Sequence, residues 1–363
     1  MMDERAVNFV FLGEPLPGYA ISSLQLAVRH SGVRVRLIGS EKLSRSVSKI
    51  VDDFVAIEDF YDPTEFSEVA RRVSYPSSFR DGFWLKTLER FFILEQYMSS
   101  NSLQRIFHAE LDQMLFNTDH LIQDLSMLGE RGLFVPFHNA NLAIASVFYS
   151  NSQTAFRSLL DSAHSGPSFP NEMTLIARWA LANPDVIFAL PTIASVANKS
   201  IEPTPAGVAN VPIDDIHGIV DASQLGQWVA GNDPRNVPLR ERPGTKFVSH
   251  YSRGPLTRDQ LSRLRFKWTR ADGRLTVQLD DFAEISIYNL HIHSKIHRWL
   301  GHSENKLDRL IALANDPAVI VLPGTRKTQI YHRTASFLGA IYKNPRKAIA
   351  KVTSFLYPRY SRR

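Results

Sequence analysis

Cysteine is absent from all 363 residues, which excludes disulfides, thiol nucleophiles and thiolate metal sites and fits a reducing compartment. No apolar run is long enough to span a bilayer. The first five residues, Met-Met-Asp-Glu-Arg, pass directly into a strand-like run with no apolar core of a signal peptide, so a cytoplasmic address is expected. Two nucleotide fingerprints, Gly-x-Gly-x-x-Gly and Gly-x-x-x-x-Gly-Lys, are missing, which disfavours a dinucleotide-binding fold and a P-loop enzyme. Acid is also missing from one end: after Asp316 there is no Asp or Glu. From Gly301 onward 12 Lys and Arg stand against 3 Asp and Glu, so residues 1–300 carry −3 of a total of +6. The basic character is a property of the tail, and a block of one sign points to an anionic surface or to a solvated segment.

The chain is of ordinary globular composition, 44% hydrophobic and 21% charged, and long enough for one large or two ordinary domains. Its first part alternates strand and helix patterns. Val7 to Leu12 is apolar and β-rich, a Gly/Pro turn follows (Gly13, Pro15, Pro17, Gly18), and 20–30 has helical spacing ending near Gly32. Strands are expected at 33–38 and 53–57 with a short polar helix over 63–72, a rhythm that demands a largely parallel sheet.

The run Arg105-Ile106-Phe107-His108-Ala109 is short and apolar-centred, as a buried strand should be, and it breaks at Glu110-Leu111-Asp112. The two acids share one face, at the end of the sheet where ligands bind in open α/β folds. Carboxylates that close repel unless a cation or proton separates them, and a hard divalent ion serves when a phosphate-bearing substrate must be held as well. A solvated Glu-x-Asp turn is the plain alternative. Just upstream, 81–94 reads as a helix with almost no polar face, so Arg90 on it is expected to be buried with an anionic partner. That partner is the Glu110/Asp112 strand end, a ligand phosphate, or a neighbouring acid in a structural ion pair.

Two later stretches stand out. Asp221-Ala222-Ser223-Gln224-Leu225-Gly226-Gln227, continuing to Asp233-Pro234, is either a plain Gly/Asn/Asp/Pro loop or a place where Asp221 and Gln227 face a ligand. Residues 285–293 have strand composition, so His291 and His293 point to one side, with Lys295 following. Such a pair is either structural or metal-ligating, and Lys295 is placed to meet a phosphate.

A Rossmann-like first half, a Phe-Trp-x-x-Thr-x-x-Arg-Phe helix over residues 83–91 and then an acidic pair at a strand end: in this order the chain resembles glycosyltransferases of the GT-A fold, with Glu110-x-Asp112 as a variant of their Asp-x-Asp motif. Residues 221–234 and the Asn-Leu-His-Ile-His-Ser-Lys run over 289–295 resemble further segments of such enzymes. The resemblance covers roughly residues 7–300. It implies a GT-A-like α/β fold, a mostly parallel sheet flanked by helices, for 1–300, followed by a helical basic extension over 301–363. It implies that Asp112 ligates Mn²⁺ or Mg²⁺ holding the diphosphate of a UDP- or GDP-sugar, with Glu110 placing metal or ribose. His293 then completes the metal set and His291 orients it or binds substrate. Lys295 and Arg90 meet the diphosphate, Asp221 and Gln227 serve the acceptor side and catalysis, and His297 is a bystander.

Two function classes follow. One is a metal-dependent glycosyltransferase acting on a glycan or lipid-linked acceptor, as in surface polysaccharide synthesis; the other is a non-catalytic GT-A-like protein that binds an anionic polymer or membrane surface. Nucleic-acid binding is disfavoured, because the basic residues are confined to the tail and no stacking aromatics interleave with them. Within the tail, Ile349, Val352, Phe355 and Leu356 fall on one helical side with Lys347 and Lys351 at its edges, a basic amphipathic pattern over 344–363 that either lies on an anionic membrane or packs on the protein itself.

Overall fold

The structure, a computed structural model, describes residues 5–75, 79, 82–129, 131–197, 204–230, 256–280, 283–293, 307–308, 311–312 and 315. Lys295, His297, Asp233 and the basic segment 344–363 lie outside the described residues. Among the described residues no helix is long and apolar enough to cross a membrane.

The expected α/β class is what the chain adopts. Strands β1 (Ala6–Phe11), β2 (Arg34–Gly39) and β3 (Asp53–Ala56) alternate with α1 (Gly18–His30) and α2 (Thr64–Ala70). Then come α3 (Phe83–Ser100), β4 (Ile106–Ala109), β5 (Gln113–Leu115) and α4 (Thr118–Met127). The next elements are β6 (Leu133–Val135), β7 (Val147–Ser150), α5 (Gln153–Ser165), α6 (Glu172–Ala182), β8 (Ile187–Ala189) and β9 (Ala209–Asn210). The central eight-stranded sheet has the order β9-β8-β6-β7-β4-β1-β2-β3. Its pairs are parallel except for β7, which runs antiparallel to both β4 and β6.

Strand periodicity separates the two faces. Ile106, Leu133, Val135 and Phe148 join one apolar cluster with α3, α5 and α6, while Phe107, Phe134, Val147 and Tyr149 join the opposite cluster with α1 and α4. Helix α3 is covered as its sequence demands. Phe91, Phe92, Ile93, Leu94 and Met98 are all buried under the sheet, and the helix runs past the expected end to Ser100.

A second, smaller sheet packs a third apolar cluster. Strand β10 (Gly218–Ile219) is followed by helices α7 (Gln224–Ala230) and α8 (Arg258–Arg263), then β11 (Leu264–Thr269), β12 (Arg274–Leu279) and β13 (Ile285–Ile287). The sheet order is β10-β13-β12-β11. Leu307 and Ile311, expected on sequence to belong to the extension beyond residue 300, are buried in this same cluster. The Asn315 side chain also accepts from the Phe266 N–H at 2.7 Å.

The strand expected over 285–293 is broken. At Tyr288, buried with its hydroxyl donating to the Ile216 carbonyl, the chain leaves the small sheet. It continues as β14 (Asn289–His291), antiparallel to β5, with His291 opposite Gln113. A buried amide pair fixes this register, Asn289 Nδ2 donating to Gln113 Oε1 at 2.7 Å. The crossing from one sheet to the other carries a late segment of the chain to the end of β4.

Candidate metal centre

Strand β4 ends at Ala109, opposite Val147 of β7, and the Glu110 N–H still bonds the Ser146 carbonyl at 2.8 Å. Beyond it the chain turns and enters β5, so Glu110 and Asp112 project from the carboxyl end of a central strand, where open α/β sheets bind ligands. Strand β14 lies beside this turn, tied to it by the Ile292 N–H, which donates to the Asp112 carbonyl at 2.8 Å. His291 Nε2 is 3.4 Å from Glu110 Oε2 and 3.3 Å from Asp112 Oδ2. One ligating atom from each of the three residues falls within 4.8 Å of the others, the arrangement that can hold a cation.

Burial sharpens the electrostatics. Asp112 is 9% exposed and Arg90 is 7% exposed. Arg90 Nη1 donates to Glu110 Oε1, and its Nη2 stands 3.8 Å from Glu172 Oε1 at the start of α6. Two carboxylates, Glu110 and Glu172, thus share one guanidinium. Beside them His108 is fully buried, its Nδ1 2.8 Å from the Asn8 carbonyl; burial, reinforced by the charge of Arg90, holds its imidazole well below the ordinary range. It adds no positive charge. Carboxylate oxygens and an imidazole nitrogen are donors that Mg²⁺ and Mn²⁺ accept.

No protein-family model and no curated protein matches the sequence. Solved structures similar to part of the chain include mouse xyloside xylosyltransferase 1, at 11% identity over 52% of this chain and 86% of that one, with a TM-score of 0.37. The glycosyltransferase GlyE of Streptococcus pneumoniae is 14% identical over 54% of this chain, with a TM-score of 0.33, and the chain spans about half (49%) of GlyE's length. The galactosyltransferase LgtC, solved in complex with donor and acceptor sugar analogs, is 12% identical over 48% of this chain and 70% of that one, with a TM-score of 0.31.

The structure distributes the expected site residues as follows. Glu110, Asp112 and Arg90 come together, Arg90 bonded to an acid as its burial requires. On sequence His293 is the expected ligand and His291 its support. In the structure it is His291 whose Nε2 reaches both carboxylates, because the β5–β14 register sets it beside Asp112. The chain turns immediately after β14, the His293 N–H donating to the His291 carbonyl at 3.2 Å. The His293 ring lies against that of His291, centroids 4.0 Å apart, with its Nε2 3.3 Å from Gln227 Nε2. Gln227 therefore borders the site through His293.

Asp221, expected to face a sugar, is 2% exposed with its carboxylate given over to backbone N–H groups. Oδ1 accepts from Ser223 and Leu225, at 2.8 and 3.0 Å, and Oδ2 from Gly226 and His291, at 2.6 and 3.0 Å. Burial pushes this carboxyl up, and the donated bonds, that of His291 first, pull it back. Asp221 ties the first turn of α7 to the strand that carries His291. Gly226 completes the fit, since a Cβ there would fall on the His291 backbone. From Gln224 to Ala230 the stretch is thus a short helix packed on the strand that carries His291 rather than a plain loop.

Glu172 is the functional candidate that sequence reasoning passes over. It is the first residue of α6, 3% exposed, and accepts from Thr87 Oγ1 at 2.8 Å. A carboxylate at a helix N-terminus is too common to signal a site, and only its convergence with Arg90 marks it.

Proposed function

We propose that this protein is a divalent-metal-dependent glycosyltransferase that moves a sugar from a nucleotide-diphosphate-sugar donor to an acceptor hydroxyl. The observation that carries this reading is the convergence of Glu110, Asp112 and His291 at the carboxyl end of β4 in a mostly parallel sheet. The GT-A resemblance of its motifs supports it. Asp112, His291 and one oxygen of Glu110 would hold Mn²⁺ or Mg²⁺, and such an ion neutralises the charge that builds on a leaving diphosphate. Arg90 fixes the other oxygen of Glu110, Asp221 and Gly226 hold the backbone of His291, and His293 with Gln227 forms the border that an incoming sugar would meet. Lys295 is proposed to meet the diphosphate.

Calorimetry with Mn²⁺ and UDP or GDP tests the reading. Asp112→Asn keeps the side chain's shape and removes its charge, so Mn²⁺-dependent nucleotide binding should fall at least tenfold with the unfolding midpoint little changed. Unaltered Mn²⁺ affinity in that variant would refute it. His291→Ala should lose more Mn²⁺ affinity than His293→Ala. The acceptor is proposed to be a glycan or lipid-linked hydroxyl approached at an anionic membrane through 344–363. Removing those residues should abolish salt-sensitive binding to vesicles containing phosphatidylserine while nucleotide binding persists; vesicle binding that survives the deletion refutes the membrane part alone.

A further inference from the structure

Behind the metal centre the buried charges form a line. Thr87 and Arg90 stand one turn apart on α3, and both meet Glu172 at the start of α6. Arg90 in turn donates to Glu110 Oε1, while Glu110 Oε2 faces His291 and so the place an ion would take. The guanidinium is shared between an acid that belongs to the site and one that touches none of the three candidate ligands. That division has an electrostatic consequence. A buried Arg90 with Glu110 as its sole anion would bind it as a closed, charge-neutral pair, drawing charge from the oxygen an ion needs.

We infer that Glu172 is a positioning residue of the metal centre, acting through Arg90: by taking a share of the guanidinium it leaves Glu110 Oε2 free in charge and direction to ligate a divalent cation. This rests on the metal-centre reading above and adds to it a residue outside the ligand set. A group bonded directly to a metal ligand, as Arg90 is to Glu110, changes affinity by about 10- to 100-fold when lost, and Glu172, a step further out, acts through it with a smaller effect.

The test is a double-mutant cycle read by Mn²⁺ titration calorimetry on the full chain at pH 8, with unfolding midpoints measured alongside. Glu172→Gln preserves the shape and the Thr87 contact, and it should weaken Mn²⁺ binding about fivefold while the protein stays folded. In an Arg90→Gln background the same replacement should change the affinity less than about twofold, since the residue through which Glu172 acts is gone. If Arg90→Gln does not fold, Arg90→Lys serves as the background, because an ammonium cannot fork between two carboxylates. An unchanged Mn²⁺ affinity in Glu172→Gln, or an equal loss in both backgrounds, overturns the inference and leaves the metal centre standing. A wild-type protein that binds no Mn²⁺ overturns both.

Discussion

Replacing Glu172 by Gln should stabilise the metal-free protein at pH 8 and leave it unchanged near pH 4. The carboxyl is buried, and desolvation raises it to about 7 from an ordinary 4.5, against the pull of Arg90 and of the Thr87 hydroxyl. A folded value above the unfolded one means that the native state holds the extra proton between about pH 4.5 and pH 7, so stability falls as pH rises through that window. Above about pH 7 the full cost of the buried charge is present, and below 4.5 none of it is. The gap corresponds to roughly 3 kcal/mol, a net figure that already contains the attraction of Arg90. With an unfolding entropy of about 2.1 cal/mol/K per residue over 363 residues, that is a rise in midpoint of roughly 4 °C at pH 8. The assay is thermal unfolding followed by circular dichroism from pH 4 to pH 8, with EDTA present so that metal binding does not add its own stabilisation. A variant less stable than wild type at pH 8, or a gain of the same size at pH 4, refutes the reasoning.

Gly226→Ala should destabilise by about 1–3 kcal/mol and weaken Mn²⁺ binding together, because the added methyl meets the His291 backbone; Gly18→Ala, where a Cβ meets nothing, is the control and should do neither. Both changes leaving Mn²⁺ affinity alike would show that α7 does not support the site. Glu65 is held below the ordinary carboxylate range chiefly by its bonds to Arg157, with a further bond to His164 at 3.0 Å. Its contribution is therefore present above pH 4.5 and lost as pH falls through the lower folded value, so Glu65→Gln should cost up to about 1 kcal/mol at pH 7 and progressively less in acid, measured by urea unfolding at both pH values.

Much of this architecture is local information. The near-continuous apolar runs of Ala6–Phe11 and Ile106–Ala109 specify strands with two buried faces, the apolar girth of α3 specifies its burial, and that burial obliges Arg90 to find an acid. Glu110 and Asp112 follow from where an apolar run stops, since side-chain period and strand length are set by neighbours in sequence. What no neighbour sets is long-range register. His291 and His293 are equivalent on sequence, and only the break at Tyr288, with the pairing of His291 to Gln113 nearly 180 residues away, puts one ring beside the carboxylates and the other against its face. Asp221 shows the same limit: its bonds to the N–H groups of Ser223, Leu225 and Gly226 are local, but the fourth, from His291, joins them only in the folded chain and ties the carboxylate to the site. Glu172 stands at a helix start that residues 170–173 themselves announce, but only the packing of α3 on α6 made it the second acid of a buried guanidinium, because charge balance in an interior is a property of the space enclosed and not of the chain that encloses it.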